Sequence, residues 1–197
     1  MTFACPGCGN QETSSKEIKR YHYVESGLEN VFLLGGVHSI RCDACGGDFL
    51  LVQDEQQLLQ VIAIVLLASP IPLSGATQTY LRKTCGLTQA QLAKLLGLSR
   101  RETIAEREAS KAPMPLDAEF RFRAIVLTAF WEYLRAGHNS FLAPDHFVWL
   151  GQVRETFLKL AHRDSRRAAK VQIQRTDERG WSATPPQGRP SAATAAA

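Results

Sequence analysis

The chain has 197 residues, room for one ordinary domain or two small ones. Apolar residues make up 45% and charged residues 21%, a globular balance that excludes a wholly disordered chain. The formal net charge of +4 is unevenly spread: residues 1–81 hold four cations against eight carboxylates, residues 82–162 twelve against eight, and residues 163–197 seven against three. An acidic first part and a basic remainder suggest two modules with different partners, the basic one suited to nucleic acid. The longest apolar run, 58–68, is broken by Gln60 and is far short of the roughly 20 residues that span a bilayer. The opening Met1-Thr2-Phe3-Ala4 has no basic stretch leading into an apolar one. A cytoplasmic protein without a membrane partner is expected, and there five cysteines bind metal or pack rather than build a disulfide framework.

In chain order, residues 1–50 read as a short-stranded β module. Strand formers fill 18–24 and 31–34, and Gly35-Gly36 turns the chain into 37–41. From Gln53 the pattern is helical and apolar until Pro70 and Pro72 stop it. Residues 51–76 are therefore expected to form an apolar linker helix and a Pro-containing linker. Buried core is its default role, although packing across a dimer is left open. Short helices follow over 77–85, 88–96 and 99–109. A longer one over 117–136 is expected to bury Phe120, Ala124, Leu127, Trp131 and Leu134. An extension over 137–175 carries a helix from about Asp145 with Phe147, Leu150, Val153, Phe157 and Leu160 on one face. Residues 176–197, rich in Pro, Gly, Ser, Thr and Ala, are expected to be a disordered tail.

Two motifs carry chemistry. Cys5-Pro6-Gly7-Cys8-Gly9 and Cys42-Asp43-Ala44-Cys45-Gly46 supply four thiolates in matched pairs, the donor set that one structural Zn²⁺ per chain prefers. A glycine after each second cysteine suits the left-handed turn that aims backbone N–H groups at sulfur. A complete four-sulfur shell leaves no place for a reactive water. His22 and His38 then read as surface or strand-packing residues, and Cys85 as a small buried hydrophobe. The second motif spans 87–99. Thr88 with Gln91 makes one capping box and Ser99 with Glu102 another, Leu92, Leu95 and Leu96 form an apolar stripe, and Gly97 permits a sharp turn. Capped helix, glycine turn and capped helix make a helix-turn-helix, whose second helix enters the major groove of double-stranded operator DNA. Gln89, Ser99, Arg100, Arg101, Glu102, Thr103 and Glu106 are the candidate DNA contacts. Residues 100–108 hold three arginines and three glutamates, so phosphate attraction is expected from outside this helix, for example from Arg82, Lys83, Lys94 and Lys111.

The order of modules resembles the MqsA-type antitoxins of bacterial type II toxin–antitoxin systems. The resemblance rests on Cys5/Cys8, Gly36-Val37-His38 leading into Cys42/Cys45, Leu73-Ser74-Gly75 followed by Tyr80-Leu81-Arg82-Lys83, and Leu87-Thr88-Gln89 through Ile104. It covers about residues 4–135. It implies an N-terminal zinc module that neutralises a small ribonuclease toxin and a C-terminal Xre/Cro-like domain that dimerises and represses its own operon. The zinc ligands and Gln89 carry over. Arg107 falls where a core residue belongs, Glu102 and Glu106 fall where family members read bases, and the segments beyond Asp145 and over 163–170 lie outside the family pattern.

The fold class expected is α+β, mainly α: a zinc-ribbon-like β module over 1–50, then an all-α helix-turn-helix domain over 77–136, with the extra helix and tail. The function expected is that of a zinc-stabilised, homodimeric DNA-binding regulator acting as an antitoxin. The alternatives are a free-standing regulator, for example of a mobile element, and an interaction scaffold that no longer binds DNA. No nucleophile–base pair, phosphate-cradling glycine loop or paired carboxylates point to an enzyme.

Overall fold

The structure, a computed structural model, describes residues 4–11, 13–110, 114–133, 171–176 and 180–183. The helix expected from Asp145, the residues past 183 and Lys111 lie outside them. Among the described residues the strands are β1 (Thr13–Glu17), β2 (Tyr21–His22), β3 (Val31–Leu34), β4 (Val37–Cys42), β5 (Asp48–Val52), β6 (Val171–Thr176) and β7 (Gly180–Ala183). The helices are α1 (Glu55–Ala68), α2 (Gly75–Thr84), α3 (Gln89–Leu95), α4 (Glu102–Ala109) and α5 (Leu116–Tyr133). A small N-terminal β module precedes five helices, the α+β arrangement in outline.

The first sheet is antiparallel, in the order β1-β4-β5. Its edge strand β1 reads Thr-Ser-Ser-Lys-Glu and is largely solvent-exposed, a polar edge that discourages pairing with other chains. The second sheet has the order β2-β3-β6-β7, and β3 and β6 run parallel with Val31 opposite Val171 and Leu34 opposite Gln174. Here the sequence expectation is corrected. The sequence predicts a helical extension to residue 175 and disorder from 176, yet 171–176 and 180–183 are strands of this sheet. Val-Gln-Ile-Gln alternates with period two, placing Ile173 in the core, and Trp181 is fully buried beside it. The Trp181 ring donates from Nε1 to the Gln53 carbonyl at 2.6 Å, and its backbone N–H donates to Gln57 Oε1 at 3.1 Å.

That hairpin closes over α1, which is apolar on nearly every side. Leu58, Val61, Ile62, Ala63, Ile64, Val65 and Leu67 are all buried, as expected of a helix without a polar face. It lies between β7 and α2, so the apolar run 58–68 is the shared core of sheet and helices. Tyr23 donates to Glu55 at the start of α1 at 2.6 Å, and Tyr80 of α2 donates to the Leu59 carbonyl at 2.9 Å.

The long helix α5 is where expected but rotated. Its buried residues are Glu119, Phe122, Arg123, Val126 and Phe130, whereas Ala124 and Trp131 are exposed and Phe120 and Leu127 half-buried. A charge pair is buried within the apolar stripe of Phe122, Val126 and Phe130. Arg123 donates to Glu119 at 2.8 and 2.9 Å, to the Leu66 and Leu67 carbonyls at 2.9 and 2.8 Å, and to the Ile71 carbonyl at 2.7 Å. The last carbonyls of α1 have no intrahelical partner, and the guanidinium supplies one from across the core.

Candidate metal centre and helical unit

The sulfurs of Cys5, Cys8, Cys42 and Cys45 all lie within 4.8 Å of one another. The Cys5–Cys45 separation is 3.7 Å and the Cys8–Cys42 separation 3.6 Å. All four are free thiols. Two equivalent loops build the site. In one, Cys5 N–H donates to Asn10 O and Gly9 N–H to Cys5 O, both at 2.8 Å; in the other, Cys42 N–H donates to Gly47 O at 3.0 Å and Gly46 N–H to Cys42 O at 2.9 Å. Gly9 and Gly46 take φ of +74° and +66°, the left-handed geometry that needs glycine. The Phe49 ring touches both loops: a Cβ at Gly7 would sit 3.0 Å from it and one at Gly47 2.7 Å. Cys5 and Cys42 face inward while Cys8 and Cys45 are exposed.

Backbone dipoles act on these sulfurs. The Cys45 N–H, and with it that of Ala44, holds the Cys42 thiol down at about 7 against the burial that would raise it. At Cys8 the Asn10 N–H works the same way, but the neighbouring Cys42 and Cys5 thiols outweigh it and push the group up to about 12. Four soft donors at this spacing can hold one metal ion. Cys85 stands apart, buried with its thiol pushed up to about 12 by desolvation.

The other candidate residues lie on α3, α4 and the turn between them. Ser74 caps α2 by accepting from Thr77 N–H at 3.2 Å. Thr88 and Gln91 form the expected capping box on α3, with Gln91 N–H donating to Thr88 at 3.2 Å and Thr88 N–H to Gln91 at 2.8 Å. Gly97 takes φ of +69°, and Leu98 N–H closes the turn on Ala93 O at 2.8 Å. Leu92 is buried, but Leu95 of the expected stripe is half exposed. The second capping box is absent. α4 begins at Glu102 with Arg101 in the cap position, in right-handed backbone geometry and with no side-chain cap. Arg101 instead reaches Glu102 at 3.1 Å, both exposed. The Glu102 carboxyl is held below its usual value by its own backbone N–H and then by Arg101.

Ser99, Arg100, Arg101, Glu102 and Glu106 are exposed and Thr103 is half-buried. Gln89 is not free for a ligand: it donates to Glu108 Oε2 at 2.8 Å. Glu108 also receives Arg82 bidentately at 2.5 and 3.0 Å, and Arg82 donates further to the Leu87 carbonyl at 2.7 Å. Arg82 is thus a buried strut from α2 to α4 and to the turn before α3, rather than a source of phosphate attraction. No local signal reveals that link, because its partners are 26 residues apart. Set against protein-family models, curated proteins and solved structures, the chain matches none of them.

Proposed function

We propose that this chain is a zinc-stabilised DNA-binding transcription regulator of the cytoplasm, acting as the antitoxin of a type II toxin–antitoxin pair. The observation that carries the reading is the sulfur quartet. Zinc–sulfur bonds of about 2.3 Å in a tetrahedron set sulfurs about 3.8 Å apart, close to the 3.6 and 3.7 Å pairs found. Cys5, Cys8, Cys42 and Cys45 hold one structural Zn²⁺. Behind it, α3, the Gly97 turn and α4 act as a helix-turn-helix, with Arg100 and Arg101 reaching phosphate or guanine edges and Ser99, Thr103, Glu102 and Glu106 beside them. Gln89 serves this unit through Glu108 instead of contacting DNA. The homodimer binds operator DNA, and the acidic N-terminal part meets a basic, small ribonuclease toxin.

The test is in two parts. Purified protein should contain one zinc per chain by elemental analysis, and it should shift its own upstream DNA in a salt-dependent way. Arg100→Ala with Arg101→Ala should abolish the shift while zinc is retained; an unchanged shift removes α4 from the interface. A second reading, an interaction scaffold, is favoured by the exposed carboxylates of Glu102 and Glu106 on α4 and predicts no shift at any salt concentration. Protein recovered from its host with DNA but no small toxin would favour a free-standing regulator.

A further inference from the structure

The two edges of the first sheet are unlike. β1 carries Lys16 and Glu17 and is otherwise Thr and Ser. β5 reads Asp-Phe-Leu-Leu-Val, with no lysine or proline to blunt it, and among the described residues it pairs with β4 alone. The bonds that bracket it, Cys42 N–H to Gly47 O and Gln53 N–H to Gly36 O, both at 3.0 Å, fix the direction of the groups between. Alternation along the antiparallel ladder turns the N–H and C=O groups of Phe49 and Leu51 toward β4 and those of Asp48, Leu50 and Val52 away from it. At this free edge Leu50 is 52% exposed, Asp48 is exposed, and Phe49, Leu51 and Val52 are half-buried.

Such an edge is completed by an added strand, and its side chains select which one. β5 matches a second copy of itself run antiparallel about a twofold axis at Leu50. In that register Leu50 lies opposite the partner's Leu50, Phe49 opposite the partner's Leu51, and Asp48 opposite the partner's Val52. All three outward residues of each strand then exchange backbone bonds, and shorter overlaps use fewer. Each exposed apolar side chain meets another. The strand's one carboxylate sits at its end, so the two Asp48 side chains are about 13 Å apart along the ladder and no like charges face each other. We propose that β5 is an interface between two copies of this chain, joining their first sheets edge to edge with Leu50 on the axis. This gives the homodimer of the proposed function a contact, and it rests on that reading for the dimer's existence. The ladder is small beside standard interfaces of about 1,200–2,000 Å², so monomer and dimer should exchange at micromolar concentrations.

Sedimentation velocity of the full chain, from low to high micromolar concentration, tests this. The parent should pass from monomer to dimer. Leu50→Lys, at an exposed position, brings two ammonium groups together on the axis and should weaken the dimer roughly tenfold or more. Lys16→Ala, which removes an exposed cation from the opposite edge, should change nothing measurable. Crosslinking reads the register. Opposite residues of a hydrogen-bonded pair have Cα atoms about 5.5 Å apart, within the span of a disulfide. Leu50→Cys should therefore give a covalent dimer under mild oxidant with zinc present, and Asp48→Cys should not, with the parent chain under the same oxidant as the control for its native thiols. Circular dichroism establishes that each variant is folded. A chain that stays monomeric at every concentration overturns both this interface and the homodimer. A dimer that Leu50→Lys leaves intact, or that Asp48→Cys links as readily as Leu50→Cys, overturns the interface alone. A monomer that recruits a different host protein, and loses it on Leu50→Lys, assigns the edge to that protein and overturns the pairing of copies.

Discussion

Arg82 and Arg123 are cations that the fold takes inside, and each is answered by a carboxylate. Burial alone would raise the Glu108 carboxyl, but the hydrogen bonds from Arg82 and then Gln89 outweigh it and hold the group below its ordinary 4.5. A depressed folded-state value means that this interaction stabilises fully above about 4.5 and is lost as pH falls through the lower folded value. Removing one partner leaves the other charge buried, which costs about 3–5 kcal/mol. Glu108→Ala should therefore lower urea-unfolding stability by that order at pH 7, and the gap from the parent protein should close on acidification below about 4.5. A gap constant down to pH 3 would mean that the ionised Glu108 carboxylate is not what stabilises the fold. At this scale the cysteine quartet was legible, because two-residue spacing is a local pattern. The arginine struts were not: a buried ion pair between residues 26 apart leaves no periodic trace.

Helices and strands were legible where local chemistry decides them and failed where the rest of the chain decides. The Thr88–Gln91 box and the Gly97 turn formed as read, since each is closed within a few residues. The apolar residues of α5 predict one face, but Glu119 and Arg123 also turn inward, where the guanidinium meets the Leu66 and Leu67 carbonyls at the end of α1. The C-terminal hairpin was hidden among Gly, Ser, Thr and Pro, and its strand partner β3 lies far back in the sequence. Gly36 is a related case. It reads as a turn, and its φ is +69°. It is also packed so that a Cβ would come 2.9 Å from the Trp181 ring. Trp181→Ala should cost about 3–5 kcal/mol in chemical denaturation, the range for a large aromatic removed from a core. A loss below 1 kcal/mol would place the hairpin outside the stable fold.

No helix among the described residues is long and apolar enough to cross a membrane. Two clusters draw distant parts of the chain together, the sulfur quartet and the apolar core around α1. If zinc fills the quartet, its binding energy is folding energy for the first sheet, while α1 and the helices draw theirs from buried apolar area. Chelation should then leave the helical far-ultraviolet signal nearly intact while residues 4–17 and 37–52 become sensitive to protease. Collapse of both together would show that the sheet and helices fold as one unit. β3 and β6 also bear on how the chain is made. Residue 31 pairs with residue 171, and contacts so distant in sequence form slowly. During translation the early strands and α1 leave the ribosome before their covering hairpin has been synthesised. Until then the flank of α1 that Trp181 will cover is bare apolar surface, the kind that chaperones hold and that draws nascent chains into aggregates.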